Sequence, residues 1–494
     1  MVGAGVGPAL RDDRRLFMSD SYDVIVVGGG PAGYPCAIRA AQLGFKTACI
    51  DNWKNKDDSP AFGGTCLNAG CIPSKALLES SEIYHRALHE FAAHGVKTSG
   101  VTMDLAQMQK RKTDISRSLT GGIKTLFTAN KVTGLFGTGR LLGGGKVEYK
   151  SHDGKTETLS AKHIVIATGS EPINLKIAAF DGKQIVDSWG ALDFTEVPKR
   201  LGVIGAGVIG VELGSVWSRL GARTVLLEAL PNFLPMVDAQ VAKEAQRQLT
   251  KQGLDIRMGA KVLSAKAGKS GVTVEYEQDG KKLTEEFDKL IVAVGRKPNT
   301  RDAGLDAAGV QLDERGFVKV DGHYKTSAPN VYAVGDVIGG AMLAHKGIEE
   351  GVALAEQLAG HHTQVNYNCV PSIIYTAPEV AWVGKSEEQA KAAGHEVKTG
   401  NGSFVSSGRA KALEQAVGLV KVISDARTDR ILGIHMVGPY VSELIAEAVV
   451  AMEFAATTED LALTMHAHPT LSETLHDAIL SVDGRAIHAA NRKK

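Results

Sequence analysis

One pattern occurs twice in the 494 residues and restricts what they can fold into. Residues 22–27 read as a short apolar strand. They run into Gly28-Gly29-Gly30-Pro31-Ala32-Gly33, then an Ala-rich helix pattern over 34–43 that Gly44 stops, then a second strand over 46–50 ended by Asp51. Residues 201–204 begin the pattern again, with Gly205-Ala206-Gly207-Val208-Ile209-Gly210, a helix pattern to Leu220, the stop at Gly221, and a strand over 224–227 ended by Glu228. The glycines permit a tight turn and close approach of a pyrophosphate, which the helix N-terminus then holds. The acid that ends the second strand takes ribose hydroxyls. A lone G-x-G-x-x-G carries little weight, but here strand, helix and acid fall where the mechanism needs them. From 28 to 205 the repeat spans 177 positions, a whole domain, so two dinucleotides are expected.

Glu228 selects between the possible second dinucleotides. A carboxylate accepts hydrogen bonds from the free hydroxyls of NAD and repels the extra phosphate of NADP. The following Ala229-Leu230-Pro231-Asn232 offers no arginine for that phosphate, so NAD is expected. Further strands are expected at 163–167, closed by Thr168-Gly169-Ser170, and at 290–294, leading into Gly295-Arg296-Lys297-Pro298. A strand over 331–334 runs into Gly335-Asp336, which suits a carboxylate on a sugar-like hydroxyl or an ordinary Asx turn. Ala344-His345-Lys346 opens a helix pattern to about 358, and Gly134, Gly137 and Gly139 read as a Gly-rich turn.

Between the two repeats lies Gly63-Gly64-Thr65-Cys66-Leu67-Asn68-Ala69-Gly70-Cys71-Ile72-Pro73-Ser74-Lys75. In a regular helix five positions give about 7.5 Å of rise and roughly 140° of turn. If Cys66 and Cys71 bond, the backbone between them departs from an ideal helix, which Gly70 eases. Pro73 suits a first helical turn, and Lys75 shares the face of Cys71. A helix N-terminus and a nearby ammonium both favour a thiolate. The stretch reads as a redox dithiol with one activated sulfur. Two buried small hydrophobes, or two ligands of a metal site, are the competing readings, although Cys36, Cys49 and Cys369 form no second pair. A long helix pattern follows, from Pro73 to about His94.

From about residue 367 strand-like stretches (380–383, 418–423, 431–437) alternate with helical ones (387–393, 443–454), and no phosphate-type glycine loop appears. This is a third, non-nucleotide domain. Near its end, His466-Ala467-His468-Pro469-Thr470-Leu471-Ser472-Glu473 places a carboxylate five positions after a histidine. That spacing fits a general-base dyad; a His-rich surface loop and a His-x-His metal pair are the alternatives.

Composition excludes several classes. The net charge of +1 gives no general attraction to nucleic acid or an anionic membrane. Five cysteines, few and odd in number, argue for a reducing compartment. No apolar run reaches the roughly eighteen residues of a membrane helix; Glu443, Glu447 and Glu453 interrupt the nearest candidate. Residues 1–17 mix Gly, Pro, Asp12, Asp13 and three arginines, unlike an acid-poor targeting peptide or an apolar secretory one. A disordered extension is expected there, with Met18 as an alternative start. Bacterial cytoplasm is the expected location, with the mitochondrial matrix as the alternative.

The motifs GGTCLNAGCIPSK (63–75), GAGVIGVELG (205–214), VGD (334–336) with MLAHKGIEEG (342–351), and HAHPTLSE (466–473) resemble those of the pyridine nucleotide–disulfide oxidoreductases, and within them the branch that works on lipoyl groups. The resemblance covers about residue 20 to the C-terminus. Glutathione reductase-like members carry arginines where Glu228 stands and a lysine where Ser74 lies. Mercuric reductase-like members need a cysteine pair near the C-terminus, and here Cys369 is the last cysteine. Transhydrogenase-like members usually lack the cysteine pair. One departure is Asp51, where the family more often has Glu.

The resemblance implies an α/β fold of two Rossmann-like dinucleotide-binding domains plus an α+β dimerisation domain. Its division is an extension at 1–18, an FAD-binding domain at 19–170 continued at 295–366, an NAD-binding domain at 171–294, and an interface domain at 367–494. It implies FAD and NAD as cofactors, a homodimer in which the His–Glu dyad of one subunit completes the other's site, and a lipoyl-bearing acyltransferase of 2-oxo acid dehydrogenase complexes as partner, with no nucleic acid and no membrane. The implied reaction is oxidation of protein-bound dihydrolipoamide by NAD+. Another disulfide or a quinone as substrate, or an assembly subunit, are the alternatives. Cys66 is then the interchange thiol, Cys71 the flavin-side sulfur, His468 the base and Glu473 its orienting partner. Lys75 lies by the flavin, paired with Glu212. Gly28, Gly30, Gly33, Asp51, Gly139, Asp336 and Ala344 are expected on FAD. Gly205, Gly207, Val208, Ile209, Gly210, Val211, Glu228, Val262, Ala293, Val294, Gly295 and Arg296 are expected on NAD.

Overall fold

The structure, a computed structural model, describes residues 21–491. The extension expected at 1–18 lies outside the described residues. The chain divides into two compact units.

The first unit takes in residues 21–64, 121–169 and 298–363. At its centre is Ser21–Val27, whose last four residues are buried. This strand pairs in parallel with Thr47–Asp51 on one side and Thr156–Ile166 on the other. Val331–Ala333 adds beyond the latter, and Thr133–Gly143 beyond the former. Such strands, buried on both faces, read as continuous apolar runs rather than alternating ones. The far halves of Thr133–Gly143 and Thr156–Ile166 join through Lys146–Ser151 as an antiparallel meander.

The glycines expected to make a turn at 134–139 lie in strand Thr133–Gly143 instead. Their smallness serves packing. A Cβ on Gly134 would stand 3.0 Å from the Phe62 ring, and one on Gly137 would stand 2.1 Å from the Lys150 carbonyl oxygen.

The helix Ala344–Leu358 begins where the sequence places it. Lys346 and Glu350, both buried, pair at 2.9 Å inside it. Glu350 accepts the Gly335 N–H at 2.8 Å, and Lys346 donates to the Gly339 carbonyl at 3.0 Å. The turn that carries Asp336 is thus braced by a buried i,i+4 ion pair of this helix.

The second unit takes in residues 65–120, 170–297 and 364–491. Residues 65–120, which the sequence division places in the FAD-binding part, therefore group with this unit. Its nucleotide-type sheet is parallel, in the order Asp255–Met258, Arg223–Glu228, Arg200–Ile204, Lys289–Val292, Ile185–Val186. A three-stranded antiparallel sheet over 261–287 follows. The C-terminal part is a five-stranded antiparallel sheet over 372–438, packed with Val441–Glu453 and Ser472–Val482. One of its apolar clusters joins the nucleotide-type and C-terminal parts, with Leu77, Leu78, Val211, Trp217, Ile374 and Val437 together.

The helix after the cysteine pair runs Cys71–His89, starting two residues earlier and ending five earlier than its pattern suggests. Gly70 sets the start, by separating it from the short helix Gly64–Ala69.

Candidate active site

The two G-x-G-x-x-G loops repeat each other role for role. Gly28 and Gly205 have φ of +112° and +98°, a region costly for any residue with a Cβ. A Cβ on Gly28 would fall 2.1 Å from the Ala167 carbonyl oxygen, and one on Gly205 would fall 2.5 Å from that of Ala293. Gly33 and Gly210 let each helix approach its loop: a Cβ there would meet the Gly28 or Gly205 carbonyl oxygen at 1.7 and 2.0 Å. The middle glycines face space. Gly207 has nothing within 4 Å, and Gly30 only Gly64 Cα at 3.7 Å.

The strand-end acids are placed alike. Asp51 accepts the Gly29 N–H and the Trp53 N–H, each at 3.0 Å. Glu228 accepts the Ala206 N–H at 2.8 Å and the Leu230 N–H at 2.9 Å. Burial pushes the Asp51 carboxyl up to about 6, against the pull of those N–H groups. A carboxylate has about four acceptor sites, so each acid retains capacity for ribose hydroxyls. Two cradles that only glycine allows, each beside an acid, fit two dinucleotides.

Several expected contacts have other roles in the chain. Val262 is buried in the core with Val225 and Leu227, so only its backbone is available to a ligand. Arg296 donates to Ser170 Oγ at 2.7 Å and to the Ser170 carbonyl at 2.6 Å. Gly139 packs against Val27 and Ile50. Ala344 is the first residue of its helix, where N–H groups are unpaired within the helix. Val208, Ile209 and Val211 lie in the first turn of the helix Val208–Arg219.

The thiol pair sits at a break between helices. A Cβ on Gly70 would approach the Thr65 carbonyl oxygen to 2.9 Å and Cys66 Cα to 3.2 Å, so the close return that brings Cys66 to Cys71 needs glycine. Both cysteines are free thiols here, hydrogen-bonded to each other. Cys71 opens the 19-residue helix. Cys66 donates to it, and Lys75, one turn on, adds a positive charge; together they outweigh burial and lower the Cys71 thiol to about 7. The same hydrogen bond, with burial, raises Cys66 strongly. The asymmetry expected from Pro73 and Lys75 is present, and the Cys66 donor is its largest cause.

Lys75 Nζ lies 2.8 and 3.1 Å from the two carboxylate oxygens of Glu212, which is buried. Burial disfavours the ammonium, but Glu212, then Cys71 and Tyr375, hold its pKa above the ordinary value. The Tyr375 N–H donates to Glu212 at 2.9 Å, and its ring lies 4.7 Å from Lys75 Nζ. Tyr375 was not singled out in sequence, because its link to Glu212 spans 163 positions.

His468 Nδ1 and Glu473 Oε1 stand 2.8 Å apart, with the His468 side chain 79% exposed. Burial opposes ionisation of Glu473, yet the Thr470 N–H and His468 bring it below the usual carboxylate range. Its neighbour His466 is different: buried, bonded to Glu447 at 2.6 Å and stacked on His476 at 4.5 Å. It is a satisfied packing histidine. Among the described residues no group of three or more His, Cys, Asp or Glu side chains could hold a metal. Nor does any hydrogen bond or ion pair among them join the dyad to the thiol pair. The same domain leaves Phe454, Leu463, Met465 and Ile487 strongly exposed. No helix among the described residues is long and apolar enough to cross a membrane.

Residues 22–351 match the family model described as pyridine nucleotide-disulphide oxidoreductase, and residues 370–479 match its dimerisation domain. The chain is 52% identical over 476 residues to dihydrolipoyl dehydrogenase of Cupriavidus necator, covering 95% of this chain and 100% of that one. It is 48% identical over 479 residues to the mitochondrial dihydrolipoyl dehydrogenase of Caenorhabditis elegans, covering 96% and 95%. Among solved structures it resembles LpdA of Mycobacterium tuberculosis, with a TM-score of 0.85 at 26% identity over 93% of this chain and 99% of that one. It also resembles the HOCl-induced flavoprotein disulfide reductase RclA of Escherichia coli, with a TM-score of 0.82 at 26% identity and the same coverage.

Proposed function

The chain belongs to the pyridine nucleotide-disulphide oxidoreductases, and from that premise we propose that it oxidises protein-bound dihydrolipoamide to lipoamide with NAD+ as final acceptor. It is a flavin disulfide oxidoreductase that uses FAD and NAD(H). The observation that carries the assignment is the cysteine pair, folded back on itself at Gly70, with Cys71 opening its helix and Lys75 one turn on.

The place of Cys71 at its helix N-terminus, beside Lys75, sets the order of exchange. In the oxidised pair a substrate thiolate attacks one sulfur and expels the other. The sulfur of lower pKa leaves faster, so attack falls on Cys66 and Cys71 departs as thiolate, stabilised by its helix N-terminus and Lys75. The second substrate thiol then loses its proton to solvent and attacks the substrate sulfur of the mixed disulfide. Lipoamide leaves as a cyclic disulfide, and Cys66 takes a proton. His468 removes the proton that makes the first thiolate and returns it to Cys66, while Glu473 holds its ring. Two electrons have moved from substrate to the cysteine pair. FAD, when bound, accepts that pair of electrons and passes them as hydride to NAD+.

Gly28, Gly30, Gly33, Asp51, Asp336 and the first turn at Ala344 would hold FAD. Gly205, Gly207, Gly210 and Glu228 would hold NAD. The dimerisation domain supports a homodimer, in which the dyad of one subunit serves the thiol pair of the other. The lipoyl group is carried by the acyltransferase core of a 2-oxo acid dehydrogenase complex. The location is bacterial cytoplasm, in keeping with the Cupriavidus relative.

The FAD-loaded protein should form NADH from free dihydrolipoamide and NAD+; absence of NADH would exclude this function. Glu228→Arg should weaken NADH and improve NADPH, shifting the ratio of kcat/KM values by about tenfold or more. An unchanged ratio would count against the ribose role of Glu228.

A further inference from the structure

The thiol helix (Cys71–His89) and the second fingerprint helix (Val208–Arg219) are joined by two ion pairs, of which only Lys75–Glu212 touches the thiol site. The other is Glu82–Arg219, with Arg219 Nη2 3.1 Å from Glu82 Oε2 and the guanidinium side chain 5% exposed. Both bridges connect residues 137 positions apart, so Glu82 lies seven residues beyond Lys75, and Arg219 seven beyond Glu212. Equal spacing in the same direction makes the helices parallel at this contact, and seven residues are about 10.5 Å of rise.

The polarity of the bridges is reversed. Lys75 on the thiol helix meets an acid, whereas Glu82 on the same helix meets a base. A slip of one heptad in one direction would bring Lys75 opposite Arg219; in the other it would bring Glu82 opposite Glu212. Either brings like charges together in a buried contact.

The second bridge is poorly suited to a purely stabilising role. Arg219 Nε makes no hydrogen bond, and the contact to Glu82 is not aligned as one. Burial lowers Arg219 and raises Glu82, so each charge is held at a cost, against the attraction of Glu82, Glu90 and Glu79 for the guanidinium. Buried ion pairs of this kind are weak evidence for stability, and setting register is their best-attested use. We propose that Glu82 and Arg219 are positioning residues of the thiol site: their pair sets the register of the thiol helix on the second fingerprint helix, and so the placement of the Lys75 ammonium beside Cys71.

The inference rests on Cys71 being the redox thiolate, but its test reads ionisation rather than turnover and so fails separately from the proposed reaction. Glu82 is eleven residues from Cys71, about 16 Å along the helix. A direct field effect would lower the Cys71 midpoint when Glu82 is neutralised and raise it when Arg219 is, so a rise in both variants is not a charge effect. Such a rise at Cys71 therefore reports position. The charged or titratable groups that bear on Cys71 are Cys66, Lys75 and Glu212, with Tyr375 acting on Lys75. Those that bear on Arg219 are Glu79, Glu82 and Glu90, and its charge reaches His85.

The experiment titrates thiolate ultraviolet absorbance in the FAD-loaded dimer, as the difference between Cys66→Ser and Cys66→Ser with Cys71→Ser. Adding Glu82→Gln or Arg219→Met should raise the Cys71 midpoint by about half a pH unit or more, a threefold fall in the thiolate-to-thiol ratio. The conservative variants Glu82→Asp and Arg219→Lys, which keep the reversed polarity of the two bridges, should stay near the parent value. Where a lone buried charge prevents folding, Glu82→Gln with Arg219→Gln supplies the same comparison. A midpoint unchanged in the folded neutral variants, whatever happens to Tm, would overturn the proposal, as would an equal shift in the conservative variants that keep both charges.

Discussion

Replacing His468 with Gln should slow dihydrolipoamide oxidation by about two to four orders of magnitude, while NADH reduces the bound flavin as before. Lipoyl thiols resemble free thiols of pKa about 8.5 or above, so at neutral pH on the order of a few per cent is thiolate. Exchange begins only from that form. His468 Nδ1 faces the Glu473 carboxylate at 2.8 Å, which assigns the proton to Nδ1 and leaves the Nε2 lone pair free on the exposed edge. Glu473 is itself fixed by the Thr470 N–H at 2.9 Å. Gln matches the bulk of the ring but takes up no proton. Because reduction of the flavin by NADH involves no substrate thiol, it separates loss of the base from loss of fold. Dithiol turnover within about threefold of the parent would remove His468 from the base role.

Cys66→Ser should abolish dihydrolipoamide oxidation with FAD content unchanged. Serine forms no disulfide, so the sulfur open to attack is gone. Its hydroxyl can still donate to Cys71, and Lys75 remains paired with Glu212, so the activated thiolate survives as an idle group. In the parent, Cys71 lowered to about 7 is ionised above that pH and protonated below it. After exchange, the Cys71 thiolate of the reduced protein should therefore be lost as pH falls through about 7, while the first exchange step slows because the attacking dithiol is less ionised. Lipoamide turnover that survives Cys66→Ser would refute the exchange sequence.

What was legible in the sequence was local. The fingerprints, the thiol stretch and the dyad each lie within a few residues to a few tens, and each imposes a backbone shape that only certain residues allow. What was not legible depends on partners brought together by the fold. His466 and His468 look equivalent in the chain, yet Glu447, nineteen positions earlier, buries the first as a packing pair and leaves the second exposed. Gly134 and Gly137 read as a turn because glycine runs usually are; Phe62 and the Lys150 carbonyl make them strand residues. Tyr375 and the Glu82–Arg219 bridge leave no periodic or motif signal, because each is a relation between elements; the Lys346–Glu350 pair has the i,i+4 spacing of one helix, and only its reach to Gly335 and Gly339 depends on the fold. Val262 lies beside the second fingerprint, but its side chain belongs to the core.

The most direct measurement counts thiols on one peptide. The oxidised FAD-loaded dimer is mixed anaerobically with dihydrolipoamide without NAD+, quenched with an alkylating tag and mapped. Both Cys66 and Cys71 should gain the tag, and NAD+ added before quenching should remove those thiols as NADH forms. NADH formed while Cys66 and Cys71 gain no tag at any stage would contradict the account.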